Sequence, residues 1–421
     1  MARHRETWND LSWKYYDRAN TVAPFALDAF GRTRVSDPVT LFDSKQIFDA
    51  QPLQWDDQEV SGAGTGTTYS QDRASSVLDV SATTAGKRIR QTFFRPNYLP
   101  GKSQEILITG ILGATTTGIT AGMGQYDDEN GLFALSEAGS VSFVVRSNVT
   151  GSAVDTKIAQ ADWNADTMDG TGGTSNPSGI TLDLSKTQIL FIDYEWLGVG
   201  SVRFGWVVGG VVYICHRQHH SNSTTSVYMS TPNNPLRYEL ENDGTGAAST
   251  MECICGTVIS EGGADPEGLR FSEANSTVVN ANTANLIYAL VGIRLRAASK
   301  GCTIVIEDLS VLCTSVTNFE WRLYLNPTVA EASWAYTAIT NSCVDSALAE
   351  ADNPSTNLIT GGTILARGFG ASKSEISLGV EQARHPGVAI DGTTFDTIVL
   401  AVKPLAANAK VYGAMNWREL Q

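Results

Sequence analysis

Apolar and polar residues alternate most regularly in residues 189–213, ILFIDYEWLGVGSVRFGWVVGGVVY. Two β-branched and aromatic runs flank Leu197-Gly-Val-Gly200, and a third follows Gly209-Gly210. This pattern predicts strand, turn, strand, turn, strand. In Val202-Arg-Phe-Gly-Trp206, Val202, Phe204 and Trp206 fall on one face, Arg203 and Gly205 on the other. A pleated ribbon with one apolar face needs a second sheet to cover it. The meander is therefore expected in the core of a β-sandwich.

The same period of two recurs along the chain. Strands are expected at residues 76–81, 87–94, 104–112, 140–147, 236–240, 250–260, 286–295, 303–312, 360–366 and 397–402, among others. In 87–94, Arg88, Arg90 and Thr92 share a face; in 303–312, Val305, Glu307 and Leu309 do. Residues 333–344 fit a strand or a short helix. The pattern gives about 20 short strands and no helix beyond about two turns. Residues 1–36 are polar, show little period and carry Trp8, Trp13, Tyr15 and Tyr16. They are expected to form an extended assembly arm that packs on a neighbour or on its own body. The expected fold class is all-β. It comprises an arm at 1–36, a lectin-like β-sandwich at 37–260, a linker at 261–285 and a β-sandwich or jelly roll at 286–421.

Composition supports this class. The chain has 421 residues, 42% hydrophobic and only 18% charged, with 39 glycines. Few charges and abundant Thr, Val, Gly and Ser favour strands over helices. The net charge of −14 argues against nucleic acid as a partner, because phosphate binding needs a basic footprint. The first ten residues hold no apolar signal core, and no run reaches ~18 apolar residues, so neither a secretory signal nor a membrane span is expected. None of the six cysteines forms a CxxC pair. They are expected as small buried hydrophobes of a reduced compartment. Strand period would point Cys253 and Cys255 to one face.

Several phrases carry a resemblance. They are Asp28-Ala-Phe-Gly-Arg32, Leu41-Phe-Asp-Ser-Lys45, Pro100-Gly-Lys-Ser103, Asp193-Tyr-Glu-Trp-Leu-Gly-Val-Gly200, Tyr228-Met-Ser-Thr-Pro232 and Asn318-Phe-Glu-Trp321. Together they look like a family of large structural proteins of tailed phages and other large DNA viruses, many of them marine. The resemblance covers nearly the whole chain. It implies a virion component, capsid-associated (decoration or head fibre) or tail-fibre-like, and it supplies no catalytic residue.

The remaining chemistry is weighed residue by residue. His216, His219 and His220 could bind a metal, but on a strand they do not converge without a turn. The acidic loops at 127–130 and 162–169 could offer oxygens to Ca²⁺, yet neither has EF-hand spacing. Trp163, Asp166 and Asp169 are the candidate glycan contacts. Asp193 and Glu195 share a face of one strand. They are read as an outward polar pair with Arg203 across the hairpin, and only as a third choice as glycosidase carboxylates. Pro100-Gly-Lys-Ser103 fails as a phosphate loop because Pro96 stands where the first glycine belongs. No cofactor, catalytic residue or metal ligand is assigned. The leading expectation is a homo-oligomeric, trimeric virion protein that contacts other virion proteins. A carbohydrate-binding adhesin for host-surface glycan is the first alternative and a glycan hydrolase the second.

Overall fold

The computed structural model describes residues 28–32, 37–113, 116–264, 267–330, 334–349, 358–379 and 385–421. Among these residues the regular structure is 28 strands and two single-turn 3-10 helices. No helix among them is long and apolar enough to cross a membrane. The chain divides into two compact units, Met1–Thr92 with Tyr98–Asp265, and Phe93–Asn97 with Pro266–Gln421.

The first unit holds β1 (Val39–Lys45), β2 (Trp55–Gly62), β3 (Thr65–Ser70), β4 (Ser75–Val80), β5 (Gly86–Thr92), β6 (Gln104–Ile111), β7 (Ile119–Tyr126) and β8 (Gly131–Glu137). It continues with β9 (Ser140–Ser147), β10 (Val154–Ala159), β11 (Gln188–Glu195), β12 (Ser201–Val208), β13 (Val211–His219), β14 (Leu236–Asn242) and β15 (Ser249–Ser260). An eight-stranded sheet runs β13-β12-β11-β6-β15-β4-β3, with β1 on the free half of β15; a seven-stranded sheet runs β10-β9-β8-β7-β14-β5-β2. The meander of 189–213 is β11, β12 and β13, as its pattern predicts, and it forms one flank of the larger sheet. Val202, Phe204 and Trp206 are fully buried on one face. They meet the second sheet in an aromatic stack: Phe143 lies 4.2 Å from Trp163, 4.8 Å from Phe204 and 6.1 Å from Trp206.

The second unit holds β16 (Leu269–Ala274), β17 (Val279–Ala281), β18 (Tyr288–Leu295), β19 (Thr303–Cys313), β20 (Phe319–Leu325), β21 (Thr328–Ala330) and β22 (Thr337–Ala338). Its remaining strands are β23 (Val344–Leu348), β24 (Leu358–Thr360), β25 (Thr363–Gly370), β26 (Glu375–Gly379), β27 (Thr397–Pro404) and β28 (Ala409–Leu420). A five-stranded sheet runs β16-β28-β19-β26, with β17 also on β28. An eight-stranded sheet runs β21-β24-β18-β27-β20-β25, with β23 on β18 and β22 on β23. Its core takes Ile306, Met415 and Trp417 from the first of these and Ile293, Leu323 and Leu400 from the second.

Four expectations are corrected here. Residues 261–285 are not a linker: β16 and β17 both pair with β28, so residues 269–281 belong to the second sandwich, while 261–265 stay with the first unit. The division also falls inside 37–260, because Phe93–Asn97 joins the second unit. Val388 N donates to Phe93 O (3.0 Å), and Phe94 stacks on His385 at 4.8 Å. A β-bulge at Glu307 breaks the alternation of β19, so Leu309 is buried in the core while Val305 and Glu307 are not. A second bulge between Cys253 and Cys255 sets them opposite Gly110 and Thr109, hence on opposite faces. Cys253 is fully buried and Cys255 only half-buried. The aromatic stack gives a stability prediction. Phe143→Ala should lower the free energy of urea unfolding by about 3–5 kcal/mol; a loss under about 1 kcal/mol would show that the stack is not the core it is described as.

Candidate functional site

The site begins on β11. Leu190, Ile192 and Tyr194 point into the sandwich, which leaves Asp193 and Glu195 on the outer face. A charged row crosses four strands there: Glu105 opposite Asp193, Asp193 opposite Arg203, Arg203 opposite Arg217. Opposite charges directly across strands stabilise the pairing. Asp193 ion-pairs with Arg203, as the hairpin register predicts. The expectation of a solvent-facing pair is corrected, because both Asp193 and Glu195 are fully buried.

Segment 28–32 fastens onto this face. Asp28 Oδ1 accepts from Phe30 N (3.0 Å) and Arg32 N (2.8 Å), which closes a tight turn. Its other oxygen accepts from Arg32 Nε. The same guanidinium reaches Glu195 Oε2 at 2.5 Å and Gly101 O at 3.3 Å. Ala29 N donates to Ser103 Oγ (3.1 Å). Burial raises the Glu195 carboxyl above its ordinary value, and the Arg32 charge opposes that rise.

The turn that follows β11 completes a polar, aromatic corner. Trp196 Nε1 donates to Met229 O (3.2 Å), and Tyr228 N donates to Gly198 O (2.9 Å). The Tyr194 hydroxyl contacts Gln104, Gln125 and Pro232 O. Tyr98 stacks on Tyr194 at 5.8 Å and meets Trp196 edge-on at 6.2 Å. A Cβ at Gly200 would lie 1.7 Å from Glu195 O, so only glycine closes this turn. Four of the phrases quoted above therefore meet at one place: 28–32, 100–103, 193–200 and 228–232.

His220 lies flat on Tyr228 at 3.9 Å, and its Nδ1 is 2.8 Å from Gly200 O. Among the described residues, the buried Tyr228 hydroxyl and His220 Nε2 find no hydrogen-bond partner. Burial pushes the Tyr98 phenol up to about 12, with Glu195 adding to the rise, and pushes Tyr228 well above the usual phenol range. Burial lowers His220. At neutral pH the corner holds neutral rings and one guanidinium–carboxylate clamp. Its groups bind one another, which suits anchoring a chain segment.

The other sequence candidates do not gather here. Trp163 is buried against Phe143, and its Nε1 donates to Ile158 O (3.2 Å). It cannot stack on a sugar without leaving the core. Asp166 organises its own loop, accepting from Met168 N, Asn176 Nδ2 and Ser178 N. Asp169 is exposed and holds Thr171 in an Asx turn. His216, His219 and His220 take separate partners: Asn164 N, Ser201 Oγ and Gly200 O. Asp127 caps its turn, and Asp128 pairs with Arg237 at 2.5 Å. Trp8, Trp13, Tyr15 and Tyr16 lie outside the described residues.

Sequence reasoning missed a groove of ≈ 610 Å³ on the five-stranded sheet of the second unit. Phe271, Ser272, Asp308 and Asn416 line it with an ion-paired set. In that set Glu307, the bulged residue of β19, sits 3.0 Å from Arg270 and 3.3 Å from Arg418. The only signal in the sequence was the change of parity at Glu307-Asp308.

No family model and no curated protein matches the chain. Solved structures similar to it include the carbohydrate recognition domain of Emp47p, at 10% identity over 54% of this chain and 99% of that one, TM-score 0.32. The CBM2 module of the evolved Dit of Lactobacillus casei BL23 phage J-1 is similar at 8% identity over 53% and 96%, TM-score 0.34. The legume lectin-like domain from Entamoeba histolytica is similar at 8% identity over 52% and 97%, TM-score 0.29.

The lowered His220 gives a pH prediction. A histidine lowered in the folded state takes up its proton more readily when unfolded. Its stabilising contribution is fully present above about 6.5, the unfolded value, and is lost as pH falls from there through the lowered folded value. The wild-type thermal midpoint should therefore drop faster than that of His220→Asn below about pH 6.5. Parallel pH curves for the two proteins would refute it.

Proposed function

We propose that this protein is a virion structural protein of a tailed phage or related large DNA virus, assembled as a homo-oligomer and anchored through its N-terminal segment. The observation that carries this reading is the clamp of Asp28, Arg32 and Glu195. It fastens residues 28–32, which follow Trp8, Trp13, Tyr15 and Tyr16 in the sequence, to the body at the point where four of the family-like phrases meet. In this proposal the preceding residues reach a neighbouring subunit or particle protein from that point. Trimer assembly and a capsid or fibre location are part of this proposal. The glycosidase alternative loses its residues, since Asp193 and Glu195 are buried and ion-paired.

Arg32 is 52% exposed while its partner Glu195 is fully buried, so Arg32→Ala leaves a carboxylate without its cation but opens it to water, and should cost about 1–3 kcal/mol. Deleting residues 1–25 should abolish incorporation into particles, and Arg32→Ala should lower the copy number without unfolding the body. Normal incorporation of the deletion would overturn the proposal.

A second reading, glycan binding by the same particle protein, has its own support in the groove of the second unit. Its carboxylate, guanidinium, amide and hydroxyl groups offer a sugar several hydrogen bonds, while Phe271, opposite the buried Trp417, packs on the core side of the sheet. Glycan-array binding that is lost on Asn416→Ala and kept on Trp163→Phe would support it. Array signals that ignore Asn416→Ala would remove it.

A further inference from the structure

The second unit carries a cluster that neither reading uses. Cys302 immediately precedes β19, Cys343 immediately precedes β23, and Glu419 lies at the end of β28. Pairing of β19 with β28 sets Ile304 opposite Glu419, which brings Cys302 close to that carboxylate. The turn at Ala297–Ser299 fixes the two cysteine segments: Cys302 N donates to Ser299 O (2.9 Å), and Arg296 N donates to Cys343 O (2.8 Å). As a result two sulfurs and one carboxylate oxygen lie within 4.8 Å of one another.

Glu419 is the unusual member. It is fully buried, and among the described residues no cation pairs with it. Four donors hold it: Cys343 N (2.7 Å), Trp417 Nε1 (2.9 Å), Gln421 Nε2 (3.1 Å) and Ser342 Oγ. A buried carboxylate without a countercharge is costly, and such groups are commonly paired or bound to metal. Hydrogen bonds of this kind are also what orients a ligating carboxylate.

We propose that Cys302, Cys343 and Glu419 bind a thiophilic divalent cation of the zinc class. Ligands around tetrahedral zinc stand about 3.6–3.8 Å apart, from metal bonds of about 2.3 Å to sulfur and about 2.1 Å to oxygen. The cluster reaches that spacing by contracting about 1 Å. Two thiolates select a soft or borderline ion over Mg²⁺ or Ca²⁺. Both thiols lose their protons on binding, so the ion enters as two protons leave. The longest of the four bonds to Glu419, from Gln421, is the one the ion replaces. Bound there, the ion ties the starts of two strands to the end of a third, three points far apart in sequence.

The test uses the full chain, reduced and folded, titrated with Co²⁺ as a spectroscopic probe and then with Zn²⁺ in competition. The expected result is one ion per chain, a thiolate-to-cobalt charge-transfer band, and displacement by Zn²⁺. Cys302→Ser, Cys343→Ser and the isosteric Glu419→Gln should each lose the band, while Cys255→Ser keeps it. Ser342→Ala, which removes one bond to the carboxylate, should weaken binding by about 10-fold or more. Circular dichroism of each variant separates loss of the site from loss of the fold. The proposal is overturned if the folded, reduced chain binds neither ion, or if binding survives the double cysteine variant. It is equally overturned if mass mapping of freshly isolated protein finds Cys302 and Cys343 joined as a disulfide.

Discussion

A strand shows its side chains alternately to two faces, and that alternation governs this molecule. Where one face is apolar, a second sheet must cover it. Phe143 on one sheet and Phe204 and Trp206 on the other meet because both strands keep the period. Where the period slips, the chain uses a bulge. Glu307 is turned out of the β19 ladder, and the buried positions change from Ile304 and Ile306 to Leu309 and Val311. The same slip opens the charged groove of the second unit. Packing and surface chemistry thus follow from one local geometric rule.

Much of the all-β architecture was legible because alternation is a local signal. The meander and the Asp193–Arg203 pair follow from register and turn length alone. What was not legible depends on distant segments. Asp193 and Glu195 fall on the polar face of their strand, and nothing near them in the sequence says that residues 28–32 fasten over that face. Trp163 sits in a polar loop, and only the fold turns it back onto Phe143. The segment 261–285 gives a weak pattern because β16 is mostly exposed and β17 has three residues. Its pairing partner lies at the far end of the chain. The groove and the Cys302, Cys343 and Glu419 cluster are likewise assembled from strands remote in sequence, so no spacing motif announces them.

Charge is handled differently inside and outside. The chain carries a net −14, yet several of its sheltered carboxylates are matched to cations. Asp57 takes Arg88 and Arg90, Glu195 takes Arg32, and Glu239 takes Lys87. Other sheltered titratable groups stay neutral, as with the raised Tyr98 and Tyr228 and the lowered His220. The excess negative charge therefore resides on the surface, where mutual repulsion keeps copies from clumping. Glu419, like Asp166, is sealed in with hydrogen bonds and no cation among the described residues.

The excursion of residues 93–97 into the second unit has an implication for modularity. Because Phe93 and Phe94 pack with Val388 and His385, the second sandwich is not a contiguous cassette. A gene fragment starting after residue 265 would encode every strand of that sandwich and still leave out part of its wall. Recombination that exchanges one sandwich for another would have to carry an internal loop from the donor as well.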